Sequence, residues 1–289
     1  MMDWHEIRDP QDPELDRLAE RYRLHPLHVE DCRHRHESAK IEESRGYIFT
    51  VLKIVTIEAD GSISESDLDI FLGRDFIITV EDKNCPPARK ILEQVRAAAA
   101  GQRADQVFYR ITDGVVDSYL PVLDHFNEVI DELEDQVLDR PTPDTLQRTF
   151  DTKRSLILLR RMLVNTRDVT GHLQRSESEL IQREMWPFFR DVYDHVSRNL
   201  DLVETQRDLL TGALDIYLSS VANRTNQVMK VLTVLGTIAL PALVISGIYG
   251  MNLKGLPWID SPHAAAIVSG IMAATTVALL MILRLMRWF

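Results

Sequence analysis

The chain has 289 residues, enough for one large or two ordinary domains, and carries 44 acidic against 33 basic side chains, a formal charge of −11. That balance argues against a nucleic-acid partner, which requires basic patches, and suits a surface that handles cations. The two cysteines, Cys32 and Cys85, form no CxxC pair, so a disulfide framework is not expected and a reducing compartment is the default.

The opening stretch MMDWHEIRDPQDPELDRLAE has neither a basic n-region nor an apolar h-region, and no cleaved signal is expected from it. Residues 1–103 read as a cytoplasmic α+β domain, a small mixed sheet with flanking helices. Pro13 to Tyr22, Pro26 to His34 and Pro86 to Ala99 have helical composition. Arg45 to Ile57 and Asp67 to Val80 are β-branched and aromatic, with Gly73-Arg74-Asp75 as punctuation. Within HVEDCRHRHE, Cys32, His34 and His36 are ligand types suited to zinc, cobalt or nickel. Their alternate spacing points them apart on a helix, and a solvated basic helix end is the competing reading.

From Ala104 the pattern turns helical, and residues 104–230 read as a stalk. Gln106 to Leu138 and Thr145 to Gln174 predict long, polar-rich helices separated by the turn DRPTPD. The acidic run DELED, Asp131 to Asp135, is expected to be a solvated helix face. A further helix starts near Pro187 and meets no breaker before Pro241. Continued to Gly250 it would have about 64 residues and a length of roughly 96 Å, joining the stalk to the segment that follows as one rod.

That segment, VLTVLGTIALPALVISGIY (231–249), is uncharged and about 28 Å long as a helix, sufficient to cross a hydrocarbon core. A second uncharged run, Ala264 to Leu283, follows the loop 250–263, and a basic tail occupies 284–289. Arg224 and Lys230 precede the first span and Arg284 and Arg287 follow the second, whereas the loop holds Lys254 against Asp260. The positive-inside rule therefore puts both termini in the cytoplasm.

Two helices cannot by themselves enclose a polar path through lipid, so any pore must be shared among identical copies. Asn226, Met229, Thr233, Gly236, Leu240, Leu243 and Gly247 alternate at spacings of 3 and 4, an a/d heptad seam on one face of the first span. Leucines at its middle could close a narrow path by dewetting. A plain helix-packing seam is the alternative, because small and apolar residues also promote ordinary association. Pro241 lies mid-span and frees a backbone carbonyl.

The stretch IYGMN at the outer end of the first of two C-terminal spans resembles the CorA-type magnesium channels. The resemblance extends through HPLHVED, RGYIFTVLK, VLDRP, FRDVYDH and LDIYLSSVANRTNQVMKVLT, from about Arg21 to the C-terminus. It implies a funnel-shaped homopentamer in the cell inner membrane, mediating Mg²⁺ uptake with Co²⁺ or Ni²⁺ as further cargo, and no enzymatic activity. It further implies that Gly250, Met251 and Asn252 form the selectivity filter, with the Asn252 amide holding a hydrated ion. The seam residues Asn226 to Gly247 would line the pore. Glu30, Asp31, Asp113 and Asp191 would bind regulatory Mg²⁺ between subunits, Asp31 with Asp191 at one site and Glu30 and Asp113 with Asp191 at a second.

The sequence departs from that family at two places. Trp4 matches a position that relatives reach only after several further strands, so part of the usual sheet is expected to be absent. The loop LKGLPWIDSPHA lacks the Met-Pro-Glu segment of magnesium-type members, a lack shared with zinc-transporting relatives. A zinc transporter of the same architecture and a non-conducting, membrane-anchored metal sensor are therefore the alternatives. No P-loop, nucleophile elbow or HExxH is present.

Overall fold

The computed structural model describes residues 2–34, 38–59, 61–83, 85–139, 141–251, 256–258 and 261–285. The chain divides into two units, Met1–Ile216 and Tyr217–Phe289. In chain order the elements are β1 (Asp3–Ile7), α1 (Pro13–Tyr22), α2 (Pro26–Arg33), β2 (Lys40–Ser44), β3 (Tyr47–Ile57), β4 (Ile63–Gly73), β5 (Phe76–Glu81), α3 (Pro86–Ala98), α4 (Ala104–Asp117), α5 (Leu120–Asp139), α6 (Pro143–Leu173), α7 (Trp186–Gly250) and α8 (Ala264–Leu285). A short 3₁₀ turn, Arg183–Met185, leads into α7.

Helix starts follow local capping chemistry. The Asp12 side chain accepts the Glu14 N–H at 2.9 Å and Thr142 Oγ1 accepts that of Thr145 at 3.2 Å. In both helices proline takes the first position, where its missing donor costs nothing.

The sheet runs β1-β5-β4-β3-β2. Strands β2 to β5 form an antiparallel meander, with Tyr47 opposite Gly73 and Ile57 opposite Ile63, while β1 pairs parallel to β5. Gly46, at φ +94°, makes the turn between β2 and β3 that a side chain would strain. Tyr47 to Val55 of β3 are buried without alternation, because both faces of the sheet are covered. Ile48, Leu52, Ile54, Ile70 and Ile77 pack against α3 and α4 on one side. Tyr47, Phe49, Val51, Phe71 and Ile78 pack against α1 and α2 on the other. There His28 stacks on Phe49 at 4.6 Å, with its ring nitrogens 2.8 Å from the Tyr47 hydroxyl and 3.0 Å from Glu42, fixing α2 on the sheet.

A third core joins α5, α6 and the first turns of α7 through Phe126, Ile130, Leu133, Leu159, Leu163, Val192 and Val196. Here the structure corrects one expectation. The helix read as continuous from Gln106 to Leu138 is two helices, α4 and α5, broken at Ser118 and Tyr119. Pro121 lacks the donor that would bond back to residue 117, and its ring crowds that carbonyl. Tyr119 turns inward at the break and donates from its hydroxyl to the Lys53 carbonyl at 2.7 Å. The strands β1 and β2, both at sheet edges, were not anticipated.

In the second unit, α7 continues through Pro241 and α8 spans 22 residues; both are long and apolar enough to cross a membrane. Val234, Ile238, Pro241, Ala242, Ile245 and Tyr249 are half-buried along one stripe of α7. Ile267, Ile271, Thr275, Leu279 and Leu283 form the matching stripe on α8, the pattern of two helices lying side by side. The Tyr249 hydroxyl donates to the Pro257 carbonyl at 3.2 Å.

Candidate cation site and exposed helix seam

Two adjacent helix faces assemble the charged site of the first unit. Asp113 and Asp117 stand four residues apart on α4, and Asp191 and His195 four apart on α7, so each pair shares a face. Close packing holds the helices in place. A Cβ on Gly114 would lie 2.9 Å from Ile91, so only glycine lets α3 approach α4 here. Phe108 and Tyr109 of α4 meet Phe189 of α7 at ring separations of 5.8 and 5.9 Å.

The geometry is that of a charge cluster with room at its centre. One donor atom each from Asp113, Asp117 and His195 lie within 4.8 Å of one another. His195 Nδ1 is 4.0 Å from Asp117 and its Nε2 is 3.7 Å from Asp191, too far for direct hydrogen bonds. Burial holds the Asp113 carboxyl above its ordinary pKa, and the Asp117 and Asp191 charges push the same way against His195 and a hydrogen bond with Tyr109. The Tyr109 phenol is raised as well, first by burial and then by Asp113 and Asp191. Crowded carboxylates of this kind favour whatever brings positive charge between them. Oxygen donors suit Mg²⁺, and the imidazole adds a ligand that Co²⁺ and Ni²⁺ favour.

Of the predicted regulatory residues, one chain brings together Asp113 and Asp191 only. Glu30 and Asp31 lie on α2, across the sheet. Asp31 bonds the Lys40 ammonium at 2.6 Å, and Glu30 is exposed. Asp117 and His195 escaped the sequence reading, although each is one helical turn from a residue it named. That i, i+4 spacing was the available signal. The proposed transition-metal trio does not converge among the described residues. Cys32 is buried, its thiol donating to the His28 carbonyl at 3.1 Å and pushed to a high pKa first by burial, while His34 is exposed. His36 lies outside the described residues.

Along α7, Asn226, Met229, Thr233, Gly236, Leu240, Leu243 and Gly247 are all exposed, on the side away from the half-buried stripe. Leu240 and Leu243 are 65% and 67% exposed, an apolar pair with no cover inside one chain. A Cβ on Gly236 or Gly247 would meet nothing within 4 Å. The Thr233 hydroxyl donates to the Met229 carbonyl at 2.8 Å, which satisfies its proton and leaves its oxygen facing outward. Gly250 closes the helix and Met251 follows, 58% exposed. Asn252 lies outside the described residues.

Comparison with known proteins joins these features. The family model described as "CorA-like Mg2+ transporter protein" matches residues 1–285. The cobalt/magnesium transport protein CorA of Thermotoga maritima is 37% identical over 278 residues, covering 95% of this chain and 79% of that protein. The complete structure of the CorA magnesium transporter from Methanocaldococcus jannaschii superimposes with a TM-score of 0.85 at 25% identity, covering 97% of this chain and 89% of that one. The ZntB cytoplasmic domain from Vibrio parahaemolyticus shares the fold alone, at 15% identity and a TM-score of 0.66 over 77% of this chain and 89% of that one. A mixed sheet backed by helices, an uncovered heptad seam on an apolar helix and a match along nearly the whole sequence thus agree: this chain belongs to the CorA-like Mg²⁺ transporter family.

Proposed function

We propose that this chain is the subunit of a homopentameric Mg²⁺ channel of the cell inner membrane, both termini cytoplasmic, which closes when intracellular Mg²⁺ is high. The observation that carries this reading is the seam on α7. Seven residues at heptad spacing are uncovered in one chain, and the sequence Gly250-Met251-Asn252 that follows them would form the filter. Exposed leucines on an isolated helix gain cover when identical helices gather about an axis, which also encloses a path. Mg²⁺ sheds its water reluctantly, so a ring of Asn252 amides would grip the hydration shell instead of the bare ion. Leu240 and Leu243 would close the path below by excluding water.

Closure would come from Asp113, Asp117, Asp191 and His195, with Glu30 and Asp31 supplied across a subunit boundary. Two carboxylates about 5 Å apart repel by about 3 kcal/mol at an effective dielectric of 20, before screening. Bound Mg²⁺ removes that repulsion and favours the closed arrangement; its loss favours opening. Cobalt is a further cargo, as named for the Thermotoga maritima relative. The zinc reading has the His195 imidazole in its favour, a ligand type that suits zinc better than magnesium, whereas the carboxylates that outnumber it in the cluster suit magnesium.

The test of the filter is Asn252→Ala measured as Mg²⁺ uptake by cells that depend on this protein. Uptake should fall to background while the oligomer persists in detergent. Undiminished uptake would contradict the filter assignment.

A further inference from the structure

A cleft of about 630 Å³ opens beside the start of α7, lined by Arg175, Arg183, Trp186, Arg190, Tyr193 and Asp194 among others. It is distinct from the carboxylate cluster, and its charge is opposite. Three guanidinium groups face one carboxylate in a chain whose formal charge is −11. Among the described residues none of the three arginines has a carboxylate partner within ion-pair distance, whereas neighbouring Arg103 is held by Asp105 at 3.1 Å. Glu184, which could have neutralised the cleft, pairs with Arg103 at 3.7 Å. The first turn of α7 carries no acidic residue, and Glu184, in the 3₁₀ turn just before it, is the nearest carboxylate preceding the helix.

The aromatic wall narrows the ligand class. The Arg183 guanidinium sits 5.7 Å from the centre of the Trp186 ring. The Trp186 indole N–H is buried with no acceptor among the described residues. Tyr193 packs its ring edge towards Gly171, which leaves 3.4 Å for any Cβ placed there, and so its position is fixed by α6. Guanidinium forks match phosphate oxygens in pairs, and an aromatic face beside them accepts a flat ring. The volume lies within the range of small-molecule sites and exceeds what inorganic phosphate needs.

We propose that this cleft binds a phosphate-bearing small molecule of nucleotide size, its phosphates against Arg175, Arg183 and Arg190 and its ring against Trp186. The experiment is calorimetric titration of the full-length protein in detergent with ATP, ADP and inorganic phosphate, all in EDTA. The chelator separates nucleotide binding from any change in free Mg²⁺ at the carboxylate cluster. Saturable binding of ATP or ADP is expected, at least tenfold tighter than phosphate. The double variant Arg183→Gln/Arg190→Gln should weaken it at least tenfold. Arg17→Gln, on the opposite side of the sheet, should bind as the parent does, and circular dichroism checks that each variant is folded. No saturable nucleotide binding at millimolar concentration, or binding unchanged in the double variant, overturns the proposal. So does phosphate binding as tightly as ATP. A double variant that alters the oligomer while the parent binds no nucleotide would make the cleft a contact between copies, and would equally overturn it.

Discussion

Asp191 and Asp69 illustrate two opposite uses of a carboxylate. Asp191 is exposed, with the Asp113 carboxyl and the His195 imidazole as its charged neighbours, and is proposed to take a cation. A ligand present at about a hundred times its dissociation constant stabilises the form that binds it by about 2.7 kcal/mol. Asp191→Ala should remove most of the Mg²⁺-dependent rise in melting temperature while leaving the cation-free value close to the parent's. A full Mg²⁺ shift in that variant would contradict the assignment. Asp69 is buried on β4, its pKa raised well above 3.8 first by burial and then by Asp67 and Asp82, against Cys32 and Lys53. Its neutral form is the one the fold favours, so the stability it contributes is complete below 3.8 and is lost as pH rises through the elevated folded-state value. Melting curves stepped upward from acid pH should show the parent losing stability over that window and Asp69→Asn losing less. Parallel curves would show that Asp69 ionises without penalty.

At the scale of elements, what the sequence disclosed was set by how strongly each segment repeats its own pattern. The uncharged runs 231–249 and 264–283 and the heptad from Asn226 to Gly247 were legible because length and spacing alone define them. β3 was legible as nine buried residues without alternation. β1 (DWHEI) and β2 (KIEES) were not, since each pairs on one side only and carries charge, which blunts the apolar signal. The break between α4 and α5 was obscured for a different reason. Helical periodicity continues on both sides of it, and only Pro121 and the inward turn of Tyr119 mark the corner. The site was half legible: Asp113 and Asp191 came with a family pattern, whereas Asp117 and His195 follow only from geometry. Tyr119 also permits a test of the corner. Tyr119→Phe removes the bond to the Lys53 carbonyl at constant shape and should cost about 1 kcal/mol. Denaturant melts measure this, and a variant as stable as the parent would mean that the corner is held by packing alone.

For the whole molecule, the account depends on copies of one chain combining what a single copy leaves unfinished. Leu240 and Leu243 lack cover in one chain, and Asp31 and Asp191 stand on different layers of it. Both facts would have the same resolution in the proposed symmetric assembly, in which seams would line a path and facing carboxylates would meet across boundaries. The most direct measurement is Mg²⁺ flux through the purified protein in liposomes loaded with a magnesium-sensitive dye, with Mg²⁺ on the stalk side set low or high. The account predicts rapid entry at low stalk-side Mg²⁺ and strong suppression when it is raised. Absence of flux under both conditions, from protein that remains folded and oligomeric, would contradict it.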